Sequence, residues 1–428
     1  MKKIDLVGLN ESVFYEKLNN DLDVYIMKKE NFNTFSAYFI TKYGALYNEF
    51  IPIGENNLRK FPDGIAHFLE HKLFEQESGP SVMEKFSELG IYCNAFTNYL
   101  NTAYYISGTD NFYEGLNFLL DYVQSPYFTF ENVEKEKGII LQELLMTKDN
   151  PYREFIFRKL KNLFKNLNYG DYVLGEEKDI KSIQKDDLYK CYNTFYNPSN
   201  MALIIVTNKD ENEVLEKIKL NQDNKKFQKQ KKIDVKLPVE KNEVRNEYDV
   251  FYGNISKSEV SYSIKLNIND FNVDVDKLEI YLYILLVMNF GKITGFGLDL
   301  KEKDMINKNI SIDSSLYNDY IILSLQTSSN NPEEVVKIIE NKFNNMVINK
   351  EYFEIVKNSI ISNFVYYFTS VPSIMNYLYN DFYYYGKIKG DKFKKYKDLN
   401  YEEFSNIFSI LNFDNKSITI MKPNEEKE

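Results

Sequence analysis

Residues 64–75, GIAHFLEHKLFE, hold both histidines of this 428-residue chain. His67 and His71 stand four residues apart, and on a helix such positions lie one turn apart on a single face. Two imidazoles can therefore meet one ion from a rigid element. Glu70, between them, points to the same side. Ile65, Phe68, Leu69, Leu73 and Phe74 surround the three, which predicts a helix packed into a core and imidazoles shielded from water. The competing reading is a helix with two core histidines and a surface glutamate. That histidine occurs nowhere else in the chain weighs against it.

The order HxxEH is the inverted form of the zinc-peptidase motif. Zn²⁺ takes two imidazoles and a carboxylate and leaves its fourth tetrahedral position to water. A water held there has its pKa lowered to about 7, and Glu70 can take its proton and pass it to a leaving amine. A third ligand has to come from elsewhere. Residues 134–146, EKEKGIILQELLM, offer Glu136 and Glu143 seven positions apart, on one helix face after two turns, with Ile140 between them. Glu143 adjoins Leu144 and Leu145, where an uncompensated carboxylate would be costly, so it is the candidate ligand. Glu136 is then the candidate for orienting a histidine or supporting the water. Acidic residues on a helix more often form a solvated face, and the pattern alone leaves that alternative open.

The chain carries 53 basic and 63 acidic residues, a formal charge of −10, so no global positive field draws nucleic acid or an anionic membrane. The amino terminus reaches Asp5 and Glu11 before any apolar run of signal-peptide length, and no stretch approaches a membrane span. Cys93 and Cys191 are too few for a disulfide framework and have no CxxC partner. They read as small buried hydrophobes, and the protein as cytoplasmic.

Residues 221–247, NQDNKKFQKQKKIDVKLPVEKNEVRNE, are charged, rich in amides and broken by Pro238, which reads as a linker. Its basic cluster, 225–232, is taken as a solvated connector. The flanks share a pattern. In 103–123 a β-rich run and polar turn precede Leu116, Leu119, Leu120 and Val123 at helical spacing. In 320–343 the same order leads to Val335, Ile338 and Ile339, with Pro332 at the helix start. A second helix follows each. The expectation is an α+β protein of two related halves, residues 1–220 and 248–428, joined by the linker.

GIAHFLEHKLFE, the later EKEKGIILQEL and the intervening NAFTNYLNTAYY together resemble the pitrilysin/insulinase family of zinc peptidases, which includes the mitochondrial processing peptidase. The resemblance covers nearly the whole chain and is closest to the small bacterial branch. It implies one zinc per chain held by His67, His71 and Glu143, a general base at Glu70 and an accessory carboxylate at Glu136. It also implies two α/β halves facing each other as a clamshell. YCNAFTNYLNTAYYIS, residues 92–107, reads as a hairpin, ordinary by itself. In the family the strand matching Asn94, Ala95, Phe96 and Thr97 pairs with the peptide, a mode an edge strand permits.

The second half departs from the family. Active single-chain members carry an arginine and a tyrosine that hold the substrate, in a segment whose counterpart here is ITGFGLDLKEKDMIN, 293–307. Those positions fall on Gly295 and Asn307, neither of which replaces the lost group; Lys292, Lys301 or Tyr317 as substitutes would be guesswork. Paired bacterial members divide the labour, one subunit bearing the zinc motif and the other the arginine and tyrosine. The resemblance thus implies a zinc endopeptidase subunit for short or unfolded peptides, such as precursor or leader peptides, working with a homologous partner. The alternatives are a noncatalytic scaffold or metal-binding subunit, disfavoured by the intact motif, and a nucleic-acid module, disfavoured by charge.

Overall fold

The computed structural model describes residues 1–228 and 232–424. The middle of the basic cluster, 229–231, and the last four residues lie outside that range. Along the chain the strands are β1 (Lys2–Leu6), β2 (Glu11–Lys17), β3 (Asp23–Lys28), β4 (Phe35–Thr41), β5 (Glu49–Phe50), β6 (Arg59–Lys60), β7 (Tyr92–Thr97), β8 (Thr102–Gly108), β9 (Met201–Thr207), β10 (Tyr248–Gly253), β11 (Ser258–Asn267), β12 (Ser311–Tyr317), β13 (Tyr320–Ser329) and β14 (Lys416–Pro423). The helices that matter below are α1 (Ile65–Lys72), α2 (Val82–Glu88), α3 (Phe112–Val123), α4 (Phe130–Lys148) and α5 (Pro151–Leu163) in the first half. In the second they are α6 (Pro332–Asn344) and α7 (Val371–Tyr385).

Two compact units form, and neither is a contiguous half of the sequence. The first combines Met1–Met146, Tyr172–Leu237 and Val365–Asp391; the second takes Thr147–Asp171, Pro238–Phe364 and the residues from Lys392 onward. Each half of the sequence thus lends one helix to the other half's sheet. α7 lies on β9 and β4 of the first unit, and α5 lies on β14 and β11 of the second. The linker divides in the same way: Val235 bridges to Phe50 in the first unit, while Glu240 accepts from the backbone N–H groups of Lys165, Asn166 and Leu167 in the second.

In the first unit seven strands run β1-β2-β3-β9-β4-β8-β7. β9, MALIIVT, is buried at every position, as a central strand covered on both faces must be. Phe39, Tyr104, Ile106 and Leu203 face the core shared with α1 and α3. Alternation sends Tyr38 and Phe96 to the opposite face, where they meet Tyr379 of α7 at ring distances of 5.9 and 5.2 Å. β7 ends the sheet, hydrogen-bonded on one side to β8, and among the described residues no strand pairs with its other edge.

The second unit is a five-stranded sheet, β10-β14-β11-β13-β12. Tyr262 of β11 stacks on Phe343 of α6. The other face is lined with hydroxyls, Ser261, Ser263 and Ser324 among them, and there Asn162 of α5 donates to Thr419. The α+β class read from the sequence is the class adopted. Pro332 opens α6 as expected, whereas its buried face is Val335, Val336 and Ile339, with Ile338 turned half outward. Among the described residues no helix is long and apolar enough to cross a membrane.

Candidate metal centre

α1 begins at Gly64, whose φ of 85° only glycine adopts without strain. A Cβ there would stand 2.0 Å from the Leu174 carbonyl oxygen. This close approach fixes where the helix starts. Ile65, Phe68, Leu69 and Leu73 are fully buried, which turns the remaining face, with His67, Glu70 and His71, toward α4. Lys72, with no exposed side-chain area, pairs with Glu75 and donates from Nζ to the Asn132 carbonyl at 3.2 Å, tying α1 to the first turn of α4. Burial pushes the Lys72 ammonium below its usual pKa, and Glu75 opposes the shift.

The ligand atoms converge. His67 Nε2 stands 3.8 Å and His71 Nε2 3.4 Å from Glu143 Oε2, and one donor atom from each residue falls within 4.8 Å of the others. Atoms sharing one zinc at about 2.0–2.1 Å in a tetrahedron stand about 3.3 Å apart, so this set needs only a small contraction to hold the ion. Glu136 lies on the outer side of His71, 3.0 Å from Nδ1. A carboxylate can only accept, so Nδ1–H donates, and the tautomer leaves the Nε2 lone pair for a metal.

The electrostatics of the cluster differ from residue to residue. Burial, reinforced by the neighbouring His71, lowers the His67 pKa to about 4, so that imidazole is neutral and free to coordinate. For His71 burial also lowers the pKa, but its hydrogen bonds to Glu136 and Glu143 outweigh it and lift the value to about 9. Without a metal, a proton on His71 balances the two carboxylates. Burial raises Glu70 to about 7 against the opposing hydrogen bond from Thr97, whose Oγ1 donates to Oε2 at 2.6 Å. A carboxylate held near neutrality is suited to taking up and releasing a proton.

Of the two α4 glutamates, the more buried is Glu136, 6% exposed. Glu143 is partly exposed, and beside it Leu144 is buried but Leu145 is not. The apolar-end argument from the sequence therefore does not separate the two. Convergence on both Nε2 atoms does. Asn94, Ala95, Phe96 and Thr97 form the open strand β7, in register with Tyr105, Tyr104, Ala103 and Thr102 of β8. In the second unit Gly295 has a φ of 71° at a helix start, a conformation unfavourable for the arginine it would replace, and Asn307 is exposed. Tyr317 packs between Phe164 and Tyr169.

Comparison with known proteins agrees with this geometry. The model of the insulinase family, peptidase family M16, matches residues 50–175, and that of the peptidase M16 inactive domain matches residues 182–360. YmfH, an uncharacterized zinc protease of Bacillus subtilis strain 168, is 35% identical over 380 residues, 88% of each chain. The rat mitochondrial-processing peptidase subunit beta is 29% identical over 164 residues, 37% of this chain and 33% of that one. An M16-like peptidase from Alicyclobacillus acidocaldarius superposes with a TM-score of 0.89 at 27% identity, covering 98% of this chain and all of that one. Pitrilysin, at 14% identity and a TM-score of 0.77, shares the fold across 99% of this chain and 46% of its own. A convergent His67–His71–Glu143 set inside a matched family domain, with a zinc protease as a near full-length relative, places the chain in the insulinase family of peptidases, family M16.

Proposed function

We propose that this chain is the zinc-bearing subunit of an endopeptidase for short or unfolded peptides, such as precursor or leader peptides. The observation that carries the reading is the convergence of His67, His71 and Glu143 beside the buried carboxylate of Glu70. These three residues would hold one zinc per chain. Zinc bound there would polarise a peptide carbonyl and acidify a water. Glu70 would take a proton from water at the site on its carboxylate and deliver it to the leaving amine. Glu136 fixes the His71 ring through Nδ1. The open edge of β7, Asn94 to Thr97, receives an extended peptide by main-chain pairing. A folded substrate has no free strand to offer, so unfolding a target should speed its cleavage.

A homologous partner supplying an arginine and a tyrosine would complete the site, since Gly295 and Asn307 supply neither. The cytoplasm is the proposed compartment. Elemental analysis and peptide hydrolysis test the core of the reading. Glu70→Gln should retain about one zinc per chain and lose turnover, whereas His71→Ala should lose the metal. Full activity in Glu70→Gln would sink the mechanism.

A further inference from the structure

We infer that Thr97 is a positioning residue for the Glu70 carboxylate, acting through its side chain while its backbone belongs to the open strand. The inference rests on the reading of Glu70 as the proton carrier. Glu70 is 8% exposed, and a buried carboxylate needs donors to define its direction. Its own three side-chain torsions do not set that direction. Thr97 Oγ1 reaches Oε2 at 2.6 Å, a short charge-assisted contact.

The hydroxyl is itself held. Threonine is stiff at χ1 because it branches at Cβ, and β7 pairs Thr97 directly opposite Thr102 of β8. The two Oγ1 atoms are 3.1 Å apart, and Thr102 Oγ1 donates to the buried Tyr43 carbonyl at 2.9 Å. Each hydroxyl owns one proton. With that of Thr102 committed to Tyr43, the Thr97 proton has two acceptors in reach, the Thr102 oxygen at 3.1 Å and the Glu70 carboxylate at 2.6 Å, and the shorter contact goes to the carboxylate.

The turn that follows is anchored from far along the chain. Tyr379 Oη of α7 accepts from Asn98 Nδ2 at 2.6 Å and donates to Asn101 Oδ1 at 2.7 Å. A helix from the second half of the sequence thereby braces the hairpin whose last β7 residue aims the carboxylate. Peptide docking on β7 and the direction of Glu70 meet at one residue.

The test uses the full-length chain, loaded with zinc and cleaving an unstructured quenched fluorescent peptide. Thr97→Val keeps the branched shape and removes the hydroxyl. It should lower kcat by about tenfold or more with KM and zinc content unchanged, and Thr97→Ser should restore most of the loss. A second readout needs no activity. In urea unfolding of the zinc-free chain, Thr97→Val should shift the midpoint in the native background and shift it less in Glu70→Ala, because the contact is already gone there. Full kcat in Thr97→Val, or equal midpoint shifts in both backgrounds, overturns the inference. If the native chain cleaves no peptide even with a homologous partner present, the endopeptidase reading fails and the role with it, while the unfolding comparison still reports separately whether the contact exists.

Discussion

His71 sits between the two carboxylates of α4, giving its Nδ1 proton to Glu136 and turning Nε2 to Glu143. In the metal-free chain its pKa of about 9 keeps it protonated near neutral pH, whereas His67, at about 4, is already neutral. Coordination requires the Nε2 proton to leave. Zinc uptake near neutral pH should therefore release about one proton per metal, and affinity should weaken as the pH falls. Calorimetric titration in buffers of different protonation enthalpy measures this, and uptake without proton release would contradict the assignment. Glu136→Gln keeps the shape but weakens the grip on the ring, so zinc affinity should drop about 10- to 100-fold. The two histidines announced themselves in the sequence by rarity and spacing. The choice of Glu143 over Glu136 came from the resemblance rather than from spacing, because both lie on the same helix face, and the neighbouring rings now favour Glu143.

α1 is a short helix, and its position depends on how it begins. At Gly64 an added Cβ would collide with the Leu174 carbonyl at 2.0 Å, while at Gly54, also at positive φ, a Cβ meets nothing within 4 Å. Gly54→Ala should cost about 1–2 kcal/mol of backbone strain. Gly64→Ala should cost more than about 4 kcal/mol or prevent folding, as measured by denaturant unfolding; equal effects at the two sites would refute the packing argument. The β7–β8 hairpin gives a second prediction. Tyr379→Phe keeps the ring against Phe96 and removes both hydrogen bonds to the turn, so amide exchange should rise locally at residues 98–102 with little change in α1. The hairpin itself was legible from its alternation and turn residues. Its brace was not, because Tyr379 and Asn98 are 281 positions apart and no local pattern connects them.

Each compact unit is completed by a helix from the other half of the chain. Residues 1–237 alone would lack α7 and leave Tyr38 and Phe96 without the cover of Tyr379. That fragment should be insoluble or molten by near-ultraviolet circular dichroism, and co-expression with residues 238–428 should recover a folded complex. A stable, well-folded fragment would show that the exchanged helix is dispensable. On the same scale, Gly295 and Asn307 supply neither an arginine nor a tyrosine side chain. The chain without a partner should bind zinc yet cleave peptides about 10² to 10³ times more slowly than with one. Adding the partner should restore turnover, and mutating the partner's arginine should abolish it without displacing metal. Robust cleavage by the monomeric chain, free of any second polypeptide, would exclude the paired mechanism.

The sequence by itself determined the α+β class, the histidine-bearing helix and the two candidate carboxylates, because each is written in short-range spacing: four residues between imidazoles, seven between glutamates, alternation along β7 and β8. Only the tertiary structure decided which glutamate faces both Nε2 atoms, that the Thr97 hydroxyl reaches Glu70, and that α5 and α7 cross to the opposite sheets. Those outcomes depend on contacts between distant segments. An amphipathic helix such as α7 specifies that it must bury an apolar face, but not whose sheet will cover it.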